Sequence, residues 1–289
     1  MLNKDNLSQL KLIVFDLDGT LLNNKGMIGE ETRKLVKELK NYDVFFTMAS
    51  GRLQCAITEY ASILELKTPI ISLDGALIKS NSNGDDSVFE SYVPERYVKK
   101  AIKLADKHFL KIALCHDEAI FYTEYNSSIP NILDKFGAEF REVESYEGLC
   151  KRVLEVVIAG EQNDAVKFVK NKMSFPYSFG INASYFKSHY HDGIYYSEIR
   201  KSGVSKGSGL ERLLKHLKIK ITEAAVLGDW YNDRSLFETG ALKIAMANAV
   251  PEIKRMAQYV TKRTNDEDGV AEFLEMVLRA KKDKNGIRR

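Results

Sequence analysis

The chain has 289 residues, of which 44% are hydrophobic and 29% are charged, as in ordinary globular proteins of one large or two modest domains. Its 43 basic and 40 acidic residues leave a net charge of +3, which is too small to favour nucleic-acid binding. No apolar run approaches the roughly 18 residues that a membrane-spanning helix needs. The polar start, Met1–Leu10, does not have the pattern of a signal peptide. We therefore expect neither a nucleic-acid nor a membrane partner.

The cysteines indicate a reducing compartment. Cys55, Cys115 and Cys150 are odd in number and far apart in the sequence, which argues against a disulfide framework. We therefore expect a cytoplasmic protein.

The first third of the chain alternates between strand and helix patterns. Lys11–Phe15 is a short apolar run that ends at Asp16, as a buried parallel strand does when it enters a loop. An amphipathic helix is predicted over Glu30–Asn41. The next predicted elements are the strand Val44–Met48, the helix Leu53–Leu64 and the strand Pro69–Leu73. Such alternation predicts a parallel sheet with helices on both faces.

The pattern changes after the turn-rich segment Asn81–Asp86, which we interpret as a domain boundary. Helices are predicted over Glu95–His108 and Asn163–Met173. Short strands are predicted at Ser87–Val93, Lys111–Cys115, Ala119–Tyr122, Val153–Ala159, Tyr177–Asn182 and Ile194–Ile199. This middle part is predicted to be a mixed α+β unit with a largely antiparallel sheet. Its strand pattern places three aromatic residues in the core: Phe140, Phe175 and Phe179.

From Ser205 the first pattern returns. Helices are predicted over Lys206–Leu217, Asp233–Glu238, Glu252–Ala257 and Gly269–Arg279, with strands over Ala224–Leu227 and Leu242–Ala245. The predicted fold class is α/β. A doubly wound parallel-sheet core is formed by residues 1–81 and 201–289, and an α+β cap domain of residues 82–200 is inserted into it.

Acidic residues follow the predicted core strands, where ligands bind in open parallel sheets. Asp16 and Asp18 are two positions apart, so an extended backbone would point both side chains the same way. Two close carboxylates repel each other unless a cation or a shared proton compensates. Mg²⁺ suits carboxylates and bridges to phosphate oxygens. Asp229 and Asp233 follow a later strand and can add ligands to the same ion.

These residues have the chemistry that phosphoryl transfer needs. A carboxylate can act as nucleophile and form an aspartyl-phosphate, while a second one donates and then accepts a proton. Lys206 and the Ser50 hydroxyl can hold phosphate oxygens. Gly19 and Gly51 let backbone N–H groups approach the phosphate closely.

Four motifs resemble those of the haloacid dehalogenase-like superfamily, and they occur in the family's order. They are Asp16-Leu-Asp-Gly-Thr-Leu-Leu22, Ser50-Gly-Arg52, Lys206 within Gly203-Val-Ser-Lys-Gly-Ser-Gly209, and Gly228-Asp-Trp-Tyr-Asn-Asp233. The large insert between the second and third motifs matches the Cof-type branch, with a Rossmann-like core and an α/β cap. Met246-Ala-Asn-Ala249 and Asn265-Asp-Glu-Asp-Gly-Val270 match as well.

The resemblance implies a role for each motif residue. Asp16 would be the nucleophile and Asp18 the general acid and base. Mg²⁺ would be bound by Asp229, the Asp16 carboxylate and the Asp18 carbonyl, with Asp233 holding a metal-bound water. Phosphate would be bound by Ser50, Gly51, Lys206 and Asn232, although Asn232 is equally well explained as a helix cap.

Four further residues leave questions open. The branch usually has Asn where this chain has Asp74, and an extra carboxylate near phosphate is unfavourable unless it turns away or pairs with a base such as Arg52. Arg52 is also a candidate for substrate contact. His189 and His191 form a His-x-His pair without a third good ligand, so contact with substrate is favoured over a zinc site.

The resemblance implies a Mg²⁺-dependent phosphatase acting on a small phosphorylated metabolite such as a sugar phosphate, pyridoxal phosphate or flavin mononucleotide. Two alternatives stay open: a phosphomutase of the phosphomannomutase type, and a catalytically silent phosphate-ligand-binding protein. The motifs do not separate the phosphatase from the mutase, because both reactions use Asp16 and Asp18. A cap that covers the active site makes a monomer sufficient, so we expect a monomer or a weak dimer.

Overall fold

The structure is a computed structural model, and it describes residues 3–80, 86–133, 137–188 and 191–286. Two compact units are present. The first comprises Met1–Gly51, Thr58–Val88 and Ser205–Arg289, and the second comprises Arg52–Ile57 and Phe89–Val204. Most of the predicted boundary segment lies outside the described residues. No helix in the described ranges combines the length and the apolar character needed to span a membrane.

The strands and helices follow one another along the chain with short connections. The strands are β1 Leu12–Phe15, β2 Phe45–Met48, β3 Ile70–Ser72, β4 Leu77–Lys79, β5 Ser87–Glu90, β6 Lys111–Cys115, β7 Ile120–Thr123, β8 Phe140–Val143, β9 Glu155–Gly160, β10 Ile181–Ala183, β11 Phe186–Lys187, β12 Tyr195–Lys201, β13 Ala224–Gly228, β14 Leu242–Ala245 and β15 Tyr259–Val260. The helices are α1 Lys4–Gln9, α2 Glu30–Lys40, α3 Gln54–Ile63, α4 Glu95–Lys107, α5 Ile129–Ile132, α6 Asn163–Lys172, α7 Lys206–Leu217, α8 Arg234–Phe237, α9 Pro251–Met256 and α10 Gly269–Gly286.

The first unit is built on a parallel sheet with the strand order β15-β14-β13-β1-β2. All four residues of β1 are completely buried, as expected for a strand with neighbours on both sides and covered faces. Phe15 is in register with Leu227 of β13 and with Met48 of β2. The residues that follow β1, β2 and β13 therefore emerge at the same edge of the sheet. The predicted α/β fold class is confirmed.

The strand after α3 agrees with the prediction in part. Pro69–Leu73 was predicted to be a third strand of the parallel sheet, and β3 does lie parallel to the chain just after β2, through a bridge between Ala49 and Ile71, but it also pairs antiparallel with β4. The physical reason is a tight reversal after β3. Leu73 and Asp74 both adopt the left-handed conformation, with φ of 46° and 49°, and this turns the chain back along β3.

The second unit is built on a seven-stranded sheet with β10-β12-β9-β6-β7-β8 in order and β11 beside β12. Every pairing is antiparallel except β7 with β8, in agreement with the predicted largely antiparallel sheet. Helices α4 and α6 pack on it. The core between them includes Val98, Ile112, Val156, Val166 and Ile199.

The prediction of a core position is wrong for two aromatic residues of this unit. The side chains of Phe175 and Phe179 are 75% and 61% exposed, and their rings contact each other at the surface. The strand pattern predicted over Tyr177–Asn182 begins only at Ile181. Phe140 does lie in a strand and is half-buried.

Candidate active site

The centre of the candidate site is a buried ion pair between Lys206 and Asp16. Asp16 follows β1 directly, and its backbone N–H donates to the Leu227 carbonyl at 3.0 Å, which continues the pairing with β13. Lys206 is the first residue of α7, whose start is fixed by reciprocal hydrogen bonds between Ser205 and Ser208. The Lys206 Nζ lies 2.5 Å from Asp16 Oδ1, and its side chain is completely buried. The strand and the helix thus bring together two charges 190 positions apart.

Asp233 forms the second ion pair of Lys206. Its Oδ1 accepts from the Lys206 Nζ at 2.7 Å, and its Oδ2 accepts from the backbone N–H groups of Asp229 and Trp230 at 2.9 and 3.1 Å. Asp233 is completely buried. One carboxylate therefore fixes both the ammonium group of Lys206 and the backbone of the loop that carries Asp229.

Asp229 follows β13 and contacts the loop after β1. Its Oδ1 accepts from the Thr20 hydroxyl at 2.7 Å. Gly19 approaches the same carboxylate so closely that a Cβ atom added to it would lie 2.4 Å from Asp229 Oδ2. Its φ of +81° is also one that glycine adopts without strain. The absence of a side chain at position 19 thus lets the two loops meet.

The electrostatics of this cluster follow from its burial. Burial raises the pKa of Asp16 well above its ordinary value, and repulsion from Asp233 raises it further while Lys206 opposes the shift. Burial also raises the pKa of Asp229 to about 6, although the hydrogen bond from Thr20 opposes this. Burial alone would lower the pKa of Lys206, but attraction to Asp16 and Asp233 outweighs it and raises the pKa.

The donor set fits a divalent cation. Asp16, Asp229 and Asp233 each offer one carboxylate oxygen, and these three atoms lie within 4.8 Å of one another. Three carboxylates against one ammonium leave two negative charges when all are ionised, and hard oxygen ligands of this kind suit Mg²⁺. The pKa values of Asp16 and Asp229 are raised because keeping both carboxylates ionised in this buried site is unfavourable. A bound cation would compensate their charge.

The turn after β3 lies against the loop that follows β2. The Ser50 N–H donates to the Ile71 carbonyl, and the Asp74 N–H donates to the Ser50 carbonyl, both at 2.9 Å. Ser50 is 2% exposed, and a Cβ on Gly51 would lie 3.4 Å from Asp74 Oδ1. Attraction to the negative charge of Asp74 also raises the pKa of Lys206, although it contributes less than the attraction to Asp16 and to Asp233. Asp74 therefore adds negative charge beside the predicted phosphate-binding groups.

The remaining predicted site residues are distributed between the two units. Asp18 and Asn232 belong to the first unit and are exposed. Arg52 and His191 belong to the second unit, and His189 lies outside the described residues.

Three contributors to the site were not predicted with a role. Thr20 holds Asp229, as described above, and Asn248 and Asn265 bind the backbone of the loop after β1. The Asn248 Nδ2 donates to the Gly19 carbonyl at 2.7 Å, and the Asn265 Nδ2 donates to the Leu22 carbonyl at 2.9 Å. A signal was present in the sequence, because both Asn residues lie in the two additional motifs that match the family.

Comparison with known proteins gives a consistent result. Residues 13–274 match the family model described as haloacid dehalogenase-like hydrolase. The chain is 27% identical over 266 residues to the 5-amino-6-(5-phospho-D-ribitylamino)uracil phosphatase YitU of Bacillus subtilis, covering 91% of this chain and 96% of that protein. The phosphatase YwpJ of the same organism is 27% identical over 296 residues, covering 93% of this chain and 100% of that protein.

Solved structures agree with these sequence relationships. A haloacid dehalogenase-like hydrolase from Bacteroides thetaiotaomicron superposes with a TM-score of 0.81 at 27% identity, over 93% of this chain and 99% of the other. A protein from Thermotoga maritima gives 0.79 at 26% identity, over 92% and 97%. The chain therefore belongs to the haloacid dehalogenase-like hydrolase family, in its Cof-type phosphatase branch.

Proposed function

We propose that the protein hydrolyses a small phosphomonoester in a Mg²⁺-dependent reaction that passes through an aspartyl-phosphate on Asp16. The observation that carries the proposal is the buried cluster in which Lys206 binds Asp16 and Asp233 beside Asp229. It combines a carboxylate nucleophile, a fixed cation and ligands for a divalent metal. Mg²⁺ held by Asp16, Asp229 and the Asp18 carbonyl, with Asp233 beside it, would neutralise charge between the nucleophile and the phosphoryl group.

In the first step, an Asp16 carboxylate oxygen attacks phosphorus, and the bond to the leaving-group oxygen breaks. Since Asp16 Oδ1 accepts from Lys206, Oδ2 is the candidate attacking atom. Asp18 is exposed, as a group that meets a substrate must be, and it donates its proton to the leaving oxygen. The products of this step are the dephosphorylated alcohol and the phosphorylated Asp16.

In the second step, Asp18 takes a proton from water, and the resulting oxygen attacks phosphorus to release inorganic phosphate and regenerate Asp16. The phosphoryl oxygens are assigned to Lys206, the Ser50 hydroxyl and the backbone at Gly51. The exposed Asn232 is a further candidate for this role. The carboxylate of Asp74 lies beside Gly51 and would repel further negative charge on a substrate bound there. We therefore favour monoesters whose leaving group is neutral or carries hydrogen-bond donors.

The relatives suggest which substrates to test first. YitU and YcsE of Bacillus subtilis are named for dephosphorylating 5-amino-6-(5-phospho-D-ribitylamino)uracil, a neutral polyol ester of the favoured kind. We propose that substrate selection lies in the inserted segment of residues 82–200, with His189 and His191 as candidate contacts there and Arg52 as a further candidate outside this segment. We also propose a reducing, cytoplasmic location, on the odd number and wide spacing of the three cysteines.

The test measures phosphate release from a panel of phosphomonoesters that includes this uracil derivative, sugar phosphates, pyridoxal phosphate and flavin mononucleotide. We expect turnover that requires Mg²⁺ and is lost in Asp16→Asn. In Asp18→Asn, rapid quenching with labelled substrate should trap the aspartyl-phosphate. Phosphate release by Asp16→Asn at the wild-type rate would refute the mechanism, and bisphosphate-dependent isomerisation without phosphate release would identify a mutase instead.

A further inference from the structure

The loop after β1 carries two of the proposed reacting groups and includes a glycine whose peptide must be oriented for both of them. Asp16 and Asp18 lie on it, and Gly19 follows with a φ of +81°. A glycine in this region loses more conformational entropy on ordering than other residues do. Since a displacement of about 1 Å in a reacting group can cost about 100-fold in rate, the peptide at Gly19 needs an external support.

Asn248 supplies that support from the loop after β14. Its Nδ2 donates to the Gly19 carbonyl at 2.7 Å, and its Oδ1 accepts from the Asn265 N–H at 3.0 Å. These two bonds define the orientation of the amide, because a flipped amide would set oxygen against oxygen at Gly19 and N–H against N–H at Asn265. Only a side chain with both a donor and an acceptor satisfies the two partners.

The loop that carries Asn248 is also attached to the proposed metal site. The Met246 N–H donates to the Gly228 carbonyl at 3.1 Å, and the Val250 N–H donates to the Asp229 carbonyl at 2.9 Å. Residues 246–250 therefore span from the backbone of Asp229 to the carbonyl of Gly19. This loop sets the separation between the segment that carries Asp229 and the segment that carries Asp16 and Asp18.

Asn265 fixes Asn248 from the opposite side and binds the same loop a second time. Its Nδ2 donates to the Leu22 carbonyl at 2.9 Å, and it is 9% exposed. Its own position is defined by Thr264 and Glu267, whose side chains and backbones form reciprocal hydrogen bonds around the turn. The loop after β1 is thus held at Gly19 and at Leu22 by two connected asparagines.

We propose that Asn248 is a positioning residue for phosphoryl transfer: it holds the Gly19 peptide at a fixed distance from Asp229, so that the carboxylates of the two loops converge on one cation. This inference rests on the proposed function, because it assigns the residue to the same Mg²⁺ site. Asn248 touches neither substrate nor reacting atoms in this role. Its effect is exerted through Gly19.

Asn248→Asp is the sharpest test. The substitution preserves the size of the side chain and an acceptor for the Asn265 N–H, but it replaces the donor to Gly19 with a carboxylate oxygen. We expect kcat to fall about 10- to 100-fold and the Kd for Mg²⁺, measured by calorimetry without substrate, to rise by about 10-fold. KM should stay within about threefold, since no substrate contact is lost. Asn248→Ala should show the same pattern with a smaller change, because it removes the bond without adding repulsion.

Asn171→Asp is the matched control, since it makes the same chemical change at an exposed position of α6 in the second unit. We expect its Mg²⁺ affinity and kcat to equal those of the wild type. The positioning role would be overturned if Asn248→Asp kept both values within about twofold of the wild type. Mg²⁺ calorimetry separates this outcome from a failure of the proposed function, because it reports on the site even if no tested ester is hydrolysed.

Discussion

The Lys206 ammonium lies 2.5 Å from the Asp16 carboxylate with neither side chain more than 7% exposed. Such a pair has lost most of its hydration, so each charge depends on the other and on Asp233 for compensation. The same lysine that is proposed to bind phosphate therefore also stabilises the folded site in the absence of substrate. Loss of the Lys206 charge should therefore affect both catalysis and stability.

Replacing Lys206 with Met should abolish activity and also destabilise the protein. Met has a similar length, so the change removes the charge without opening a large cavity, but it leaves Asp16 and Asp233 buried without their cation. We expect a loss of about 3–5 kcal/mol in the free energy of unfolding, measured by urea denaturation in EDTA. Lys215→Met, at an exposed position of the same helix, should change it by less than about 0.5 kcal/mol. Equal stability of the two variants would contradict the ion-pair argument.

Asp233→Asn should be destabilising although it conserves shape. One carboxylate oxygen accepts from Lys206, and the other accepts from the N–H groups of Asp229 and Trp230. An amide offers one acceptor, so its NH₂ group must face donors on one side in either orientation. We expect a loss of roughly 1–3 kcal/mol in unfolding free energy together with weaker Mg²⁺ binding. Chemical denaturation and calorimetry measure the two effects, and a variant with wild-type values for both would contradict this hydrogen-bond assignment.

Mg²⁺ affinity should decline in mildly acidic solution. The pKa of Asp229 is raised to about 6 by burial, and a metal ligand must be deprotonated to bind. Below about pH 6 protons compete with the cation, so the Kd should rise by up to about tenfold per pH unit from this residue alone. Calorimetric titrations between about pH 5 and 8 check this expectation. An affinity that does not change between about pH 5 and 7 would contradict the combination of a raised Asp229 pKa and ligation by this residue.

Without a divalent cation, the raised pKa of Asp229 should make the folded protein less stable as the pH rises, whereas Mg²⁺ affinity should increase with pH. The folded protein binds a proton on Asp229 up to about pH 6, whereas the ordinary value for this group is 3.8. The contribution of Asp229 to stability is therefore fully present below about pH 4 and is lost as the pH rises through about 6. In EDTA, the difference in unfolding free energy between the wild type and Asp229→Asn should change with pH across this window. A constant difference would contradict the shifted pKa.

The sequence predicts the alternating fold well, because strand and helix patterns are local. Asp16 follows an apolar run that predicts a buried strand. Residues at the carboxyl end of such a strand lie at the edge of the sheet where ligands bind. Lys206 and Asp233 were assigned by motif, and the structure brings both side chains to Asp16. What the motif did not reveal is that Asp233 is bonded directly to Lys206.

The features that the sequence did not predict depend on backbone conformation and on distant partners. A leucine with φ of 46° is unusual, so the left-handed conformation of Leu73 was not predictable, although Asp74-Gly75 directly after it is a dipeptide typical of turns. The exposed rings of Phe175 and Phe179 follow a strand-like pattern without lying in a strand. The bond from Asn248 to Gly19 joins positions 229 residues apart, and the family motif around Asn248 did not indicate which partner it binds.

The close approach of Gly19 to Asp229 leaves no room for a side chain at position 19. In Gly19→Ala, the new Cβ would lie 2.4 Å from Asp229 Oδ2 and the backbone would keep a φ of +81°. The clash must move the Asp229 carboxylate or the loop, so we expect Mg²⁺ affinity to fall by at least about tenfold. The backbone conformation alone should cost about 1–2 kcal/mol in unfolding free energy.

Gly148→Ala separates these two effects, because Gly148 has a φ of +80° and no atom within 4 Å of an added Cβ. It should show the cost of the left-handed backbone alone, with unchanged Mg²⁺ affinity. A larger loss of stability in Gly19→Ala than in Gly148→Ala would therefore be due to the contact with Asp229 and not to the left-handed backbone. If Gly19→Ala bound Mg²⁺ like the wild type, the close approach of Gly19 to Asp229 would not define the geometry of the metal site.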